Sequence, residues 1–424
     1  MKIEKEIRND HLARIEGRAG IVIEIGEEFK AKINVTEGPR FFEIITKGKR
    51  YDEMPYICSR ICSFCSTAHK LTPIEAVENA LDVEVSEQTK LLREMLYFAN
   101  IIESHTLHLY FFALPDFLGF HDAISMTKDY PDIMKNGLDL KNFGVKVQSI
   151  IGSREIHPEN ALVGGFGKIP SKQDIEKIRN MANDCIEKAI ATVDLIAEYE
   201  YPSYVDLDRR HLSIKSNKYG VYGNEIISSD GSFFGVEEYR KNIEEETVSY
   251  SFSKRGKYKG EPFMVGALSR LVNSNSLIEG KAKELLLAYE KFLKANNCFA
   301  NNFAQAIEIV YFMEKIYEMA DEIKMKEEEI KRPAKKKGKG YAVTEAPRGL
   351  LIYEVEIENE IVKKVNIITP TAMFLPMIEI DVVNMVKGLW NDGYRDVDLI
   401  GKKAEMVVRA YDPCISCSVH VIKI

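Results

Sequence analysis

The sequence predicts a mainly helical α+β protein, with long buried helices as a central bundle and small β hairpins and lobes around it. Three observations carry that expectation. Apolar residues recur at helical spacing from Ser86 to about Leu114, and again after Ser171. Residues 14–36 and 350–368 alternate apolar and polar side chains on either side of a turn signal. Residues 202–262 are rich in Gly, Ser and Tyr and carry turn signals such as Asp230-Gly231, so they read as a β-containing lobe between helical parts.

Taken in order, residues 14–36 form a hairpin turning at Gly26-Glu27-Glu28. Thr72-Pro73-Ile74-Glu75 has the pattern of a capping box with proline in the first turn, which starts a helix near Pro73. Cys62 to His69 are left in a turn or short helix before it. A single long helix follows from Ser86 to about Leu114. Ser171 opens another, with Ile175, Ile178, Ala182, Cys185 and Ala189 on one face. Residues 279 to about 330 hold two long helices. Lys331 to Gly340 (KRPAKKKGKG) is a solvated basic linker rather than a binding patch. A second hairpin pairs Leu350–Ile357 with Ile361–Ile368 across Glu358 to Glu360. No internal repeat of fixed period is present. The expected division is one multi-lobed unit: 1–70, an N-terminal β region; 71–200, helical core; 201–270, the β-containing insert; 271–330, helical core; 331–340, the basic loop; 341–424, a β hairpin and the chain end.

The 424 residues are 45% apolar, enough for a large buried core, and the formal net charge of −7 argues against a nucleic-acid surface. No stretch reaches the roughly 18 apolar residues of a membrane span. The richest run, Tyr110 to Phe120, is broken by Pro115 and Asp116. The opening Met-Lys-Ile-Glu-Lys-Glu has no apolar signal segment, so a cytoplasmic location is expected.

Seven cysteines in so long a chain do not make a disulfide framework. Four form two Cys-x-x-Cys pairs, Cys62/Cys65 and Cys414/Cys417, at opposite ends of the chain. Each pair presents two thiolates about one turn apart, and four thiolates suit zinc, an iron–sulfur cluster or nickel. A structural zinc site is the plain reading. Against it, a zinc ribbon closes a loop of about 15–20 residues, and each pair here also carries a histidine at a short offset, His69 or His420. A catalytic or redox metal therefore leads, with structural zinc and incidental cysteines behind it.

The segments Arg60-Ile61-Cys62-Ser63-Phe64-Cys65-Ser66-Thr67-Ala68-His69 and Asp412-Pro413-Cys414-Ile415-Ser416-Cys417-Ser418-Val419-His420 resemble the paired cysteine signatures of nickel–iron hydrogenase large subunits. Arg14-Ile15-Glu16-Gly17 resembles the family's N-terminal motif. Pro262 to Arg270, around Gly266, resembles its mid-chain motif, and Glu345-Ala346-Pro347-Arg348-Gly349 the motif beside its active site. The matches occur in family order. Cys-Ser-Phe-Cys in the first pair resembles the cytoplasmic sulfhydrogenase-type α subunits that couple hydrogen to a pyridine nucleotide.

The resemblance implies a hydrogenase large-subunit fold and reversible heterolytic cleavage of dihydrogen. It implies nickel held by all four cysteines, Cys62 and Cys414 terminal, Cys65 and Cys417 bridging to an iron with carbon monoxide and cyanide ligands. Cys414 would accept the proton and Glu16 carry it away. Arg348, after Pro347, would stand over the metals, Thr371 would donate to a cyanide, and His69 would bond a bridging sulfur. Glu43 and His420 would hold a magnesium ion. Many relatives carry an aspartate where Ser104 stands. The implied partners are an iron–sulfur small subunit, flavin/NAD(P) and iron–sulfur electron-transfer subunits, metal-insertion factors, and a maturation protease that cuts after His420 and removes Val421 to Ile424. A hydrogen sensor with the same site, a structural zinc protein, and an electron-transfer subunit related to the quinone-reducing respiratory complex are the rival readings; relatives of the last kind lack the thiolates.

Overall fold

The computed structural model describes residues 3–294 and 296–419. Its centre is the helix Ala300–Glu322, buried on every side from Ala300 to Met313. It packs between Lys172–Ala197 and Glu87–Leu107, and the latter also packs on Pro131–Gly152. Local chemistry fixes several helix starts. Ser86 accepts a hydrogen bond from the Thr89 N–H, and Ser171 and Asp174 form a reciprocal capping box. Pro131 and Pro370 occupy first-turn positions, where a missing N–H costs nothing. The face Ile175, Ile178, Ala182, Cys185 and Ala189 is buried as the spacing predicts.

A four-stranded antiparallel sheet lies against the helix Ala68–Leu81. Its order is Ile361–Ile368, Gly349–Glu358, Gly338–Ala346 and Tyr222–Gly223. The predicted hairpin across Glu358–Glu360 forms as read. The N-terminal hairpin forms as Ala19–Gly26 against Lys30–Val35, burying Ile21, Ile23, Ile25, Ile33 and Val35. Ile3–Asn9 adds a third strand that the sequence did not signal. The 202–262 region contains six short strands and contributes to three sheets.

Four expectations need correction. The helix expected from Pro73 begins at Ala68, with Pro73 inside it. Thr72 does not cap: its hydroxyl lies against the Ala68 carbonyl and the Thr344 hydroxyl, and packing on the sheet carries the helix past the proline. The helix from Ser86 ends at Leu107 in a π turn, His108–Ala113, before a short helix Leu114–Leu118. Of the two long helices expected over 279–330, the first is the short Gly280–Ala288, and Ile323 to Ile330 are extended. That last stretch carries Glu327, Glu328 and Glu329 in succession, with no apolar face to bury. Instead it lies along the helix starting at Glu87, with Glu328 accepting from Ser86 and Thr89. Finally, the basic linker stops at Lys337, because Gly338 already begins a strand. Gly340 is needed there: a Cβ would stand 2.0 Å from the Ala76 carbonyl oxygen of the crossing helix.

Candidate metal centre

The two cysteine pairs are brought together by different local devices. Cys62 follows the short turn Ser59–Ile61, and Cys65 stands one turn before His69, whose N–H bonds the Cys65 carbonyl. The segment from Phe64 to Thr67 is pinned from three sides. Asn100 donates to the Phe64 carbonyl, Thr67 to Gln148, and the His157 N–H to the Ser66 hydroxyl. The second pair follows Asp412, which sits at φ 52, a left-handed conformation that aspartate tolerates better than most residues. Arg40 ties the pairs to each other, donating to the Ile61 and Ser416 carbonyls that precede Cys62 and Cys417. Nothing in the sequence pointed to Arg40.

The four sulfurs are buried and lie within 4.8 Å of one another. Cys62 and Cys414 are 3.2 Å apart, Cys65 and Cys417 3.3 Å. These are far longer than the roughly 2.05 Å of a disulfide. Sulfurs at about 2.3 Å from a shared tetrahedral ion stand about 3.8 Å apart, a value between the paired separations and the 4.8 Å span of the cage, so the four can share a metal ion. Its protonation pattern also calls for a cation. Burial opposes ionisation throughout and holds Cys414 and Cys417 well above the ordinary thiol range. Cys62 alone overcomes burial, held well below that range by hydrogen bonds from Cys414, Cys417 and Cys65. A thiophilic ion supplies the charge that lets all four ionise.

Arg348 is presented by the turn between the strands Gly338–Ala346 and Gly349–Glu358. Gly349, at φ 127, lets that turn pass Val265 and Gly266, where a Cβ would come within 2.6 Å of the Val265 side chain. Pro347, before Arg348, is buried, its carbonyl accepting from Arg270. The guanidinium is fully sequestered. Its Nε donates to the Asp412 carbonyl at 2.6 Å, one terminal nitrogen to the Asp412 carboxylate at 2.8 Å, the other to the Ser104 hydroxyl at 3.3 Å. Burial works against its charge, but Asp412 and the negative charge that the cage can carry at Cys414, Cys65 and Cys62 hold it protonated. The Phe64 ring lies 5.4 Å from the guanidinium carbon. Ser104 thus stands where the arginine needs an acceptor, and Asp412 supplies the negative charge. The cysteine signature contained Asp412; its pairing with Arg348 was not legible.

Glu16 reaches the same cage from the N-terminal segment. Its carbonyl accepts from the Ile415 N–H at 2.9 Å, and its carboxylate accepts from the Ser416 N–H at 3.1 Å and from the Ser416 hydroxyl. Burial, reinforced by the charge on Cys62, raises its pKa above the usual carboxylate range, and Ser416 and Cys414 partly offset this. His69 is buried with its Nδ1 2.8 Å from the Tyr353 hydroxyl, and burial lowers its pKa to about 4. Thr371 accepts from the Cys414 N–H at 2.9 Å, leaving its own proton free to donate. Glu43 lies in the short helix Phe42–Thr46 and accepts from the Ile367 N–H at 2.8 Å. The Arg40 N–H bonds the Val419 carbonyl, so the chain carrying Glu43 passes the last described residue. His420 and the tail Val421 to Ile424 lie outside the described residues.

Further out, Arg270 binds Glu308 with two nitrogens and Glu345 with a third, and Glu308 also meets His105 at 2.7 Å. The Pro262–Arg270 and Glu345–Gly349 segments, read separately in the sequence, are therefore one buried ion network under the Arg348 turn. On the open side, Glu16, Arg18, Arg40, Arg60, Cys62 and His157 line a cleft that reaches the surface.

With this geometry in view, a family model described as Nickel-dependent hydrogenase matches residues 40–133 and 234–420. The sulfhydrogenase 1 α subunit of Pyrococcus furiosus is 47% identical over 426 residues, covering 98% of each chain. The sulfhydrogenase 2 α subunit of the same organism is 39% identical over 424 residues, covering 99% of this chain and 100% of that one. Among solved structures, an NAD+-reducing NiFe-hydrogenase in the H2-reduced state superposes with a TM-score of 0.91, covering 99% of this chain and 100% of that chain at 22% identity, a likeness of fold. Among the described residues, no helix is long and apolar enough to cross a membrane.

Proposed function

Since the chain belongs to the nickel-dependent hydrogenase family, as a catalytic large subunit with nickel and iron at its centre, we propose how its own residues divide the work of splitting dihydrogen. Cys62 and Cys414 would hold nickel as terminal ligands, and Cys65 and Cys417 would hold both the nickel and an iron carrying carbon monoxide and cyanide. The observation that supports this division is the pairing of sulfurs across the cage, Cys62 with Cys414 and Cys65 with Cys417. Soft thiolates tolerate a change of metal oxidation state, and the bound centre supplies the Lewis acidity and redox capacity for heterolysis.

The protein supplies the base, the cation and the shielding. Cys414 Sγ takes the proton, and Glu16, lying against the Cys414–Ser416 segment, carries it toward the open cleft. Arg348 is a fixed cation held by Asp412 from behind, so it needs no reorganisation when charge develops in front of it. Thr371, whose hydroxyl oxygen accepts from the Cys414 N–H and so keeps its own proton, would donate to a cyanide. His69, its Nδ1 fixed by Tyr353, would give its other nitrogen to a sulfur that the two metals share. Glu43 and His420 would hold a magnesium ion. A maturation protease removes Val421 to Ile424 once metal-insertion factors have acted, and an intact mass ending at His420 in nickel-loaded protein tests that step.

Electrons leave through an iron–sulfur small subunit. The cleft beside Cys62 is lined by charges of both signs, Arg18, Arg40 and Arg60 with Glu16 and Glu37, and the nearby surface carries exposed Phe41, Ile44, Ile45 and Tyr56. That mixture suits a protein partner. Flavin-bearing and further iron–sulfur subunits pass the electrons to NAD(P) in the cytoplasm, and the whole chain acts as one multi-lobed catalytic unit. The test is anaerobic purification with its partner subunits, followed by hydrogen-dependent NAD(P) reduction. Hydrogen uptake with artificial dyes and no reduction of either nucleotide would exclude the nucleotide link while leaving the metal site in place.

A further inference from the structure

The hydroxyl of Ser416 stands between the two groups that the preceding reading makes donor and acceptor of a proton. It donates to Glu16 Oε1, and it lies 3.9 Å from Cys414 Sγ. The Ser416 main-chain N–H holds the second carboxylate oxygen at 3.1 Å, and the Ile415 N–H holds the Glu16 carbonyl at 2.9 Å. Glu16 is thus locked to this segment at three points, which fixes its carboxylate against a single hydroxyl. Ser416 is only 5% exposed and also borders the cleft, so bulk water does not compete for the contact as it would on the surface. In the cysteine signature this is one of the two positions between Cys414 and Cys417, which the ligand chemistry leaves free.

We propose that Ser416 is a member of the proton path, its hydroxyl bridging Cys414 to Glu16. The step balances without redox change. The thiol of Cys414 gives its proton to Ser416 Oγ as Ser416 gives its own proton to Glu16 Oε1, and the reverse sequence runs when hydrogen is made. A serine hydroxyl does this without ionising, because it accepts and donates in the same event. The competing route is direct, since Cys414 also approaches Glu16. The inference rests on Glu16 being the proton acceptor.

The test compares Ser416→Thr with Ser416→Val, two side chains of equal shape that differ in the hydroxyl, beside Ser416→Ala and Glu16→Gln. Three quantities are read on each purified protein: nickel content, backbone amide exchange across residues 414–418, and the rate of hydrogen–deuterium exchange between dihydrogen and solvent. The expected result is normal nickel and amide protection in all four. Isotope exchange should be near normal in the threonine variant and reduced at least about 100-fold in the valine and alanine variants, the lower end for a positioned proton-transfer group. Equal exchange rates in the threonine and valine variants would overturn the bridge. Loss of nickel or amide protection in the valine and alanine variants would make Ser416 a structural residue and overturn it too. If Glu16→Gln exchanges normally, the reading of Glu16 fails first. If Glu16→Gln is slow while Ser416→Val is not, only the bridge fails, and the direct route stands.

Discussion

Replacing Glu16 by glutamine separates structure from chemistry at one residue. The carboxylate accepts two hydrogen bonds from Ser416, one from the N–H and one from the hydroxyl. A glutamine of the same shape can take the N–H bond on its oxygen and turn its amide toward the serine hydroxyl, which then acts as acceptor. Two charge-assisted bonds become two neutral ones, a loss of about 1 kcal/mol each. Against that, the variant no longer buries a carboxylate whose ionisation burial disfavours. The net cost is about 2 kcal/mol or less, too small to unfold a chain of this size or empty its metal cage. The catalytic loss is larger, because glutamine cannot carry a proton. Removing a positioned proton-transfer group costs about 10²–10⁴-fold, or about 3–5 kcal/mol of barrier. The assay is isotope exchange between dihydrogen and deuterated solvent, with nickel and iron measured on the same sample. A metal-loaded Glu16→Gln protein exchanging within a few-fold of wild type would refute the reasoning, and the proton would have to leave by another group.

Any one of Cys62→Ser, Cys65→Ser, Cys414→Ser or Cys417→Ser should abolish hydrogen uptake, since a serine oxygen is a harder and poorer ligand for nickel; Cys185→Ser, a buried helix residue outside the cage, should keep it, and activity assays on the five variants check both. Gly340→Ala should lower the melting temperature, because its Cβ would meet the Ala76 carbonyl at 2.0 Å and the Ala80 nitrogen at 2.5 Å, a clash worth about 1–3 kcal/mol or more. Lys70 is buried over the Tyr56 ring with no hydrogen-bond partner among the described residues, and burial lowers its pKa from 10.5 to about 7, Glu159 and Cys58 opposing the fall and Arg60 assisting it. Between about pH 7 and 10.5 the unfolded chain holds a proton there that the folded chain has shed, so this lysine makes stability rise with pH across that window. Denaturant titrations should show Lys70→Met more stable near neutrality and with a flatter pH dependence; an unchanged slope would mean that Lys70 keeps its charge.

The elements legible in the sequence were those whose signals are local. The Glu358–Glu360 turn and the alternation around it placed the last hairpin, and Ser86 and Ser171 placed two helix starts. Pro73 misled, because a capping pattern is a weak local preference and the sheet packed against Ala68–Leu81 outweighs it. The helix Pro131–Gly152 fell inside the expected helical core but was not delimited, because Gly137 and Gly144 in its interior depress helical propensity. Gly144 is there for contact, since a Cβ would lie 2.6 Å from the Ala99 carbonyl of the neighbouring helix. The site follows the same division. The cysteines, Glu16 and Arg348 stand in compact motifs, and the fold brings all of them together. Arg40, Tyr353, Gln148 and Asn100 act on the cage from distant parts of the chain, through contacts that exist only once the helices have packed.

The most direct test of the central claim is the metal content of the protein purified without oxygen alongside its Cys62→Ser variant. The account predicts nickel and iron in equal amounts in the wild type, zinc at background, and nickel lost from the variant. Zinc in place of nickel, bound tightly and without hydrogen uptake, would contradict it.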